Sequence, residues 1–300
     1  MKKAIVTGAN GFIGSTLTNR LLQNGVEVVA IDMSFCNLRL APSPLLTTIQ
    51  MPIDETLPDR IPEGDYDAFY HLAWRGVNGQ EKADPIIQLE NIRMAILCAK
   101  ACKTHNVRKF LCSGTVAENA VLSLPHLGST NAGMMYGAAK HACHIMLETH
   151  CKAHGINLIW MQFSNIFGIG NLTGNLVSYT LQELLSDRDA TFGPARQPYD
   201  FIYIDDLIEA VFRLGDTENS RNTYFIGSGT PRLLHEYLHE IGSLAERPEQ
   251  IKIGVRNDDG VRYDFSMFDI SPLQQDIGEY TTISFEEGIK NTISWMQQRK

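Results

Sequence analysis

The chain has no excess of positive charge. Its 26 Lys and Arg stand against 34 Asp and Glu, a formal net charge of −8 at pH 7. Nothing is available to neutralise a run of phosphates, which argues against nucleic acid and against an anionic membrane surface as partners. No stretch approaches the ~18 consecutive apolar residues of a membrane-crossing helix. Ala4-Ile5-Val6, behind Met1-Lys2-Lys3, is too short for the apolar region of a signal peptide. Blocks of like charge, low-complexity segments and internal repeats are missing as well. The six cysteines, Cys36, Cys98, Cys102, Cys112, Cys143 and Cys151, lack metal-ligand spacing, because Cys98-x-x-x-Cys102 has no second pair. They read as buried free thiols in a reducing compartment. The expectation is a cytoplasmic chain without a metal.

What is present is an ordinary globular composition, 44% hydrophobic and 20% charged over 300 residues. That length predicts about two domains, or one core with an appendage. Short apolar runs alternate with helical patterns. Strands are expected over 3–7, 26–31, 66–72, 108–112 and 156–163, with a weaker one in 45–53. Helices are expected over 12–23, 86–105 and 136–154. This rhythm predicts an α/β fold, a Rossmann-type doubly wound parallel sheet with a smaller C-terminal α/β substrate domain. The rhythm breaks after Asn165. The expected dinucleotide-binding domain therefore covers 1–165, with return segments at about 201–226. Residues 166–200 and 227–300 make the substrate domain.

Thr7-Gly8-Ala9-Asn10-Gly11-Phe12-Ile13-Gly14 lies between the first strand and the first helix. Gly8 permits a tight turn, Gly11 a close approach of backbone to a pyrophosphate, and Gly14 close packing of helix on strand. The helix N-terminus then offers unpaired N–H groups to an anion. Asp32 ends the second strand. A carboxylate there accepts hydrogen bonds from ribose hydroxyls and repels a 2′-phosphate, so NAD is expected and NADP is disfavoured. Arg39 is the nearest base downstream, and its spacing does not select it.

Tyr136-Gly-Ala-Ala-Lys140 places two side chains on one helix face. Alone such a pair is only a solvated surface. Here it follows a strand whose end carries Ser113-Gly114-Thr115, on the sheet edge where ligands bind. The Lys140 ammonium is expected to favour the Tyr136 phenolate and lower its pKa from ~10. His141, Cys143 and His144 lack a further metal ligand and read as helix packing or polar surface. Asp205-Asp206 reads as helix-terminal carboxylates.

The runs TGANGFIG (7–14), YHLAW (70–74), KFLCSGTV (109–116), YGAAK (136–140), SNIFGIGN (164–171), YDFIYIDDLIEA (199–210), YFIGSG (224–229) and SFEEGIKNTISW (284–295) span the chain. In this order the sequence resembles the extended short-chain dehydrogenase/reductases, specifically the NAD-dependent epimerase/dehydratase group. The resemblance implies that Tyr136 is the general acid/base, Lys140 its tuner and ribose anchor, and Ser113, with Thr115 as second candidate, the hydroxyl that binds the substrate oxygen. It implies cofactor contacts from Gly8, Asn10, Gly11, Phe12, Ile13, Gly14, Asp32, Ile53, Asp54, Leu72, Ala73 and Asn91. It also places Asn165 near nicotinamide and substrate. Asn175, Arg196 and Arg256 are candidates for a nucleotide diphosphate.

Three departures from the family pattern stand out. Gln162 occupies a position where members often carry arginine. Tyr199-Asp200-Phe201 stands in place of Arg-Asp-Phe, and Val116-Ala117-Glu118 in place of Val-Tyr-Gly. Sugar-nucleotide dehydratases carry Asp-Glu directly after the hydroxyl residue, where this chain has Gly114-Thr115. Elimination of water needs that acid and base, so a dehydratase is disfavoured. The expected function is an NAD-dependent nucleotide-sugar epimerase acting through a transient keto-sugar. The alternatives are an NAD(P)H-dependent 4-keto-6-deoxysugar reductase and, in a different class, a catalytically silent dinucleotide-binding regulator. A homodimer through the helices at 86–105 and 136–154 is implied by the resemblance.

Overall fold

A computed structural model describes residues 1–121, 131–171, 173–258, 260 and 262–299. The strands are β1 (Lys3–Thr7), β2 (Glu27–Asp32), β3 (Leu46–Gln50), β4 (Ala68–His71), β5 (Phe110–Thr115), β6 (Leu158–Phe163), β7 (Asn165–Phe167), β8 (Ala190–Thr191), β9 (Pro198–Tyr199), β10 (Phe201–Tyr203), β11 (Thr223–Ile226), β12 (Arg232–Leu233) and β13 (Ile251–Lys252). The helices are α1 (Phe12–Gln23), α2 (Leu57–Arg60), α3 (Pro85–Thr104), α4 (Ala117–Val121), α5 (Ala132–His154), α6 (Leu176–Leu185), α7 (Ile204–Asp216), α8 (Leu234–Leu244), α9 (Ser271–Ile277) and α10 (Phe285–Gln297).

Seven strands form one parallel sheet in the order β11-β6-β5-β4-β1-β2-β3. Parallel strands need helical crossovers, so both faces of the sheet are covered and the strands read as continuous apolar runs. β1 is buried along Ala4-Ile5-Val6-Thr7 and β4 along its whole length. One apolar core packs under α2, α3 and α5, and contains Phe69, Phe110, Leu147 and Trp160. The other lies under α1 and α7, from Leu17 and Leu21 to Leu207 and Val211, and continues into Tyr237, Leu238 and Ile289 of the C-terminal part. The order of strands reverses between β1 and β4. Strand C-termini there diverge and leave a crevice for ligands.

The expected elements form with shifted ends. β5 runs on to Thr115, so Ser113 sits inside the strand, and α5 begins at Ala132, four residues before Tyr136. Caps decide such ends. Asn131 accepts the Met134 N–H, and Asp84 accepts the N–H groups of Ile86 and Ile87 ahead of Pro85. β11 joins the main sheet beside β6, whereas β10 pairs with β7 outside it. Five cysteines are buried free thiols. Cys36 is exposed, contrary to the expectation for the set. Asp205 and Asp206 do lie in the first turn of α7. The Asp206 carboxylate, however, reaches across to accept from the Thr282 N–H and hydroxyl and the Ile283 N–H. It ties two segments together instead of capping its own helix.

Candidate active site

The glycine turn is closed by Gly11 N–H donating to the Gly8 carbonyl at 3.1 Å. Gly8 has φ +69°, and a Cβ there would stand 2.8 Å from the Ala73 nitrogen. A Cβ on Gly14 would stand 2.0 Å from the Gly8 carbonyl oxygen. Only glycine lets β1, α1 and the end of β4 approach this closely. Gly11 is the N-cap of α1 and offers no side-chain cap, so the first-turn N–H groups remain available to an anion.

Two adjoining clefts share Gly8, Gly11, Leu72 and Trp74. The first, about 450 Å³, is lined by Ile31, Asp32, Met33, Met51, Ile53, Ala73 and Met94. The Asp32 carboxylate accepts from the backbone of Asn10 at 2.9 Å and of Ser34 at 3.1 Å. Apolar walls beside a fixed carboxylate suit an adenosine, and the glycine cradle suits the pyrophosphate, so the residues fit a dinucleotide. The second cleft, about 400 Å³, gathers Phe12, Ile13, Gly14, Ser113, Thr115, Tyr136, Lys140, Asn165 and Asn175.

Lys140 is buried. Its Nζ donates to the Ser113 carbonyl at 2.6 Å and to the Ser113 hydroxyl at 3.2 Å, and lies 3.7 Å from the Trp74 ring centroid. Burial lowers its pKa. Tyr136 shares the second cleft with Thr115, meets Trp74 edge-on at 6.2 Å and has Lys82 Nζ 5.2 Å from its ring centroid. Burial, and after it the Glu118 charge, push the phenol above its ordinary value. The expected depression by Lys140 is overturned in this arrangement: the ammonium is committed to Ser113, and desolvation dominates.

Other anticipated residues are engaged in contacts of their own or stand away from the clefts. The Asn10 amide donates to the carbonyls of Ser34 and Cys36 and accepts from the Arg39 N–H, pinning the 34–39 loop. Arg39 itself donates to the Gly170 carbonyl. Asn91 is buried and clamps both backbone groups of Arg75 at 2.8 Å, which fixes the segment after β4. Asp54 accepts from the Thr56 N–H and hydroxyl in a local turn and lines neither cleft. Arg256 reaches Thr191 and Tyr179 and Arg196 is exposed. Neither arginine lines the clefts. Asn175 caps α6 through Ser178 and donates to the Ile166 carbonyl, so its amide is already engaged.

A family model described as the NAD-dependent epimerase/dehydratase family matches residues 4–252. The chain belongs to that family. A UDP-glucose 4-epimerase of Corynebacterium glutamicum is 26% identical over 250 residues, 76% of this chain and 75% of that protein. Another, of Mycolicibacterium smegmatis, is 24% identical over 314 residues and covers 99% of both. A solved UDP-N-acetylglucosamine 4-epimerase of Methanobrevibacter ruminantium superposes with TM-score 0.83 at 22% identity, over 100% of this chain and 99% of that one. The doubly wound fold is thus shared, and the protein is an NAD-dependent enzyme of the extended short-chain dehydrogenase/reductase class.

Within this family frame, sequence reasoning passed over three side chains at the site. Trp74 forms the junction of the clefts. Lys82 comes over Tyr136 from a 3₁₀ turn at Gln80–Ala83. Glu118 is buried behind Gly114 and Thr115. For Trp74 the only signal was its place after His71-Leu72-Ala73. For Glu118 it was the departure from Val-Tyr-Gly.

Proposed function

We propose that the protein is an NAD-dependent nucleotide-sugar epimerase working through a transient keto-sugar, with Tyr136 as acid/base. The observation that carries this reading is the convergence of Ser113, Tyr136 and Lys140 on the glycine cradle in one cleft. Bound NAD supplies the hydride acceptor and donor. Tyr136 takes the proton from the reacting sugar hydroxyl and later returns one to the ketone oxygen. Ser113 holds that oxygen by its hydroxyl, and Lys140 orients Ser113 through two hydrogen bonds. A proton transfer of this kind contributes roughly 10²–10⁴-fold in rate.

A dehydratase carboxylate at position 114 meets a steric objection. A Cβ on Gly114 would stand 2.3 Å from Trp160 Nε1 and 2.7 Å from Glu118 Oε1. A second reading is the NAD(P)H-dependent 4-keto-sugar reductase, in which the Tyr136 phenol donates its proton to the ketone. The partner proposed for the protein's outer face is a second copy of the chain. Ile86 and Leu89 of α3 and Ile145 and Met146 of α5 are more than half exposed.

The test is turnover of a panel of nucleotide sugars with NAD, followed by NMR of the sugar and by nicotinamide absorbance. An epimerase changes the sugar while the absorbance returns to its starting value. Stoichiometric loss of reduced cofactor with a keto-sugar substrate supports the reductase and overturns the epimerase. Tyr136→Phe is expected to abolish either activity with cofactor affinity largely kept.

A further inference from the structure

Two departures from the family pattern, at positions 118 and 162, meet in space. Glu118 is 2% exposed. Its carboxylate accepts from the Thr115 N–H at 2.7 Å, from Trp160 Nε1 at 3.2 Å and from Gln162 Nε2 at 3.3 Å. His144 Nδ1 lies 3.6 Å from Glu118 Oε2, and the imidazole stacks on Trp160 with centroids 4.5 Å apart and planes within 3°. His144 Nε2 in turn meets the Thr223 hydroxyl at 3.2 Å. Elements α4, α5, β5 and β6 thereby converge on one carboxylate, with β11 behind His144. A buried carboxylate with this many donors is costly to assemble unless every partner is in place. Thr115 lines the second cleft together with Tyr136, and its hydroxyl accepts from the Ala117 N–H at 3.2 Å.

We propose that Glu118 is a positioning residue of the proton-transfer step: it holds the Thr115 amide, and so fixes the stretch of cleft wall that Thr115 forms beside Tyr136. Gly114 is required by the same arrangement, since any Cβ there would strike both Trp160 and Glu118. Gln162 serves as a neutral donor to Glu118. An arginine in its place would be a charged donor and would cancel the carboxylate's field at the tyrosine. That field acts with burial to keep Tyr136 protonated. The other charged groups facing Tyr136 are Lys82 over its ring and Lys140, one helical turn along α5. Glu118 supports the charged form of Lys140 as well. This inference rests on Tyr136 being the acid/base, and the titration arm of its test needs no substrate.

The experiment is a spectroscopic titration of the holoenzyme, reading the phenolate absorbance of Tyr136 as the difference from Tyr136→Phe. Glu118→Gln is expected to lower the midpoint by at least half a pH unit. Turnover should fall about tenfold, the typical scale for a misplaced proton-transfer partner being 10² or less, with the KM for cofactor unchanged. An unchanged midpoint and unchanged turnover would overturn the proposal. Should Glu118→Gln fold poorly, the double variant Glu118→Gln, Gln162→Glu restores a carboxylate–amide pair but moves the charge away from the Thr115 amide. It is expected to melt near the wild-type temperature with the midpoint still displaced and turnover still low. If the swap instead returns both to wild-type values, the carboxylate only fills space, and the positioning role is refuted. A protein that turns over no nucleotide sugar, yet shows the displaced midpoint, would fault the functional reading while leaving the Glu118 geometry standing.

Discussion

The Lys140 ammonium lies 3.7 Å from the centroid of the Trp74 ring, and the ring is held there by Trp74 Nε1 donating to Gln88 Oε1 at 2.9 Å. A desolvated cation over tryptophan is stabilised by up to about 2 kcal/mol. Because Trp74 also walls both clefts, Trp74→Leu should weaken NAD binding about tenfold by calorimetry. Trp74→Phe keeps an aromatic face and should lose far less. Equal losses in the two variants would show that the ring face is not what matters.

Ser113→Ala should separate chemistry from stability. The shorter Lys140 contact is to the Ser113 carbonyl, which alanine keeps. Only the 3.2 Å contact to the hydroxyl is removed. Turnover is expected to drop by roughly 10²-fold or more, while the melting temperature and NAD affinity stay close to wild type. Collapse of the fold would identify the hydroxyl as structural.

Asp32 should set cofactor choice. Its carboxylate is fixed by two backbone N–H groups, so it cannot turn away from a 2′-phosphate. NAD should bind at least tenfold more tightly than NADP, a difference of about 1.4 kcal/mol. Asp32→Ala should narrow that ratio and cost some stability through the two N–H groups it leaves unpaired. Tighter binding of NADP to the wild-type protein would reverse the assignment.

His71 predicts an acid limb in stability. It is fully buried, with Nδ1 against the Thr7 hydroxyl at 2.8 Å. Burial, and secondarily the Lys140 charge, depress its pKa from 6.5 to about 3. Between those values the unfolded chain takes up a proton that the folded chain refuses. Stability is therefore complete above pH 6.5 and falls as pH drops toward 3, by up to about 1.4 kcal/mol per pH unit. Urea titrations across this window check the slope, and His71→Asn should flatten it. An equal slope in the variant would place the acid sensitivity elsewhere.

The sequence by itself determined the parallel sheet, because strands covered on both faces must be apolar throughout and their crossovers must carry helical periodicity. It also determined the glycine turn and the place of Asp32 at the end of β2, which depend on local backbone freedom and strand length. The Tyr136–Lys140 pair was legible for the same reason, since four residues make one helical turn. What only the tertiary structure decided are contacts made across the sheet. Glu118 and Gln162 are 44 residues apart in the chain yet hydrogen-bonded, and no periodicity joins them. The direction of the Tyr136 shift depends on desolvation and on that distant carboxylate, which the helix spacing does not encode. Asp54 and Asn91 stand where the resemblance placed cofactor contacts, and Arg256 was only a candidate for a diphosphate, but their side chains are spent on Thr56, Arg75 and Tyr179, because a polar group finds its partner in three dimensions and not along the chain.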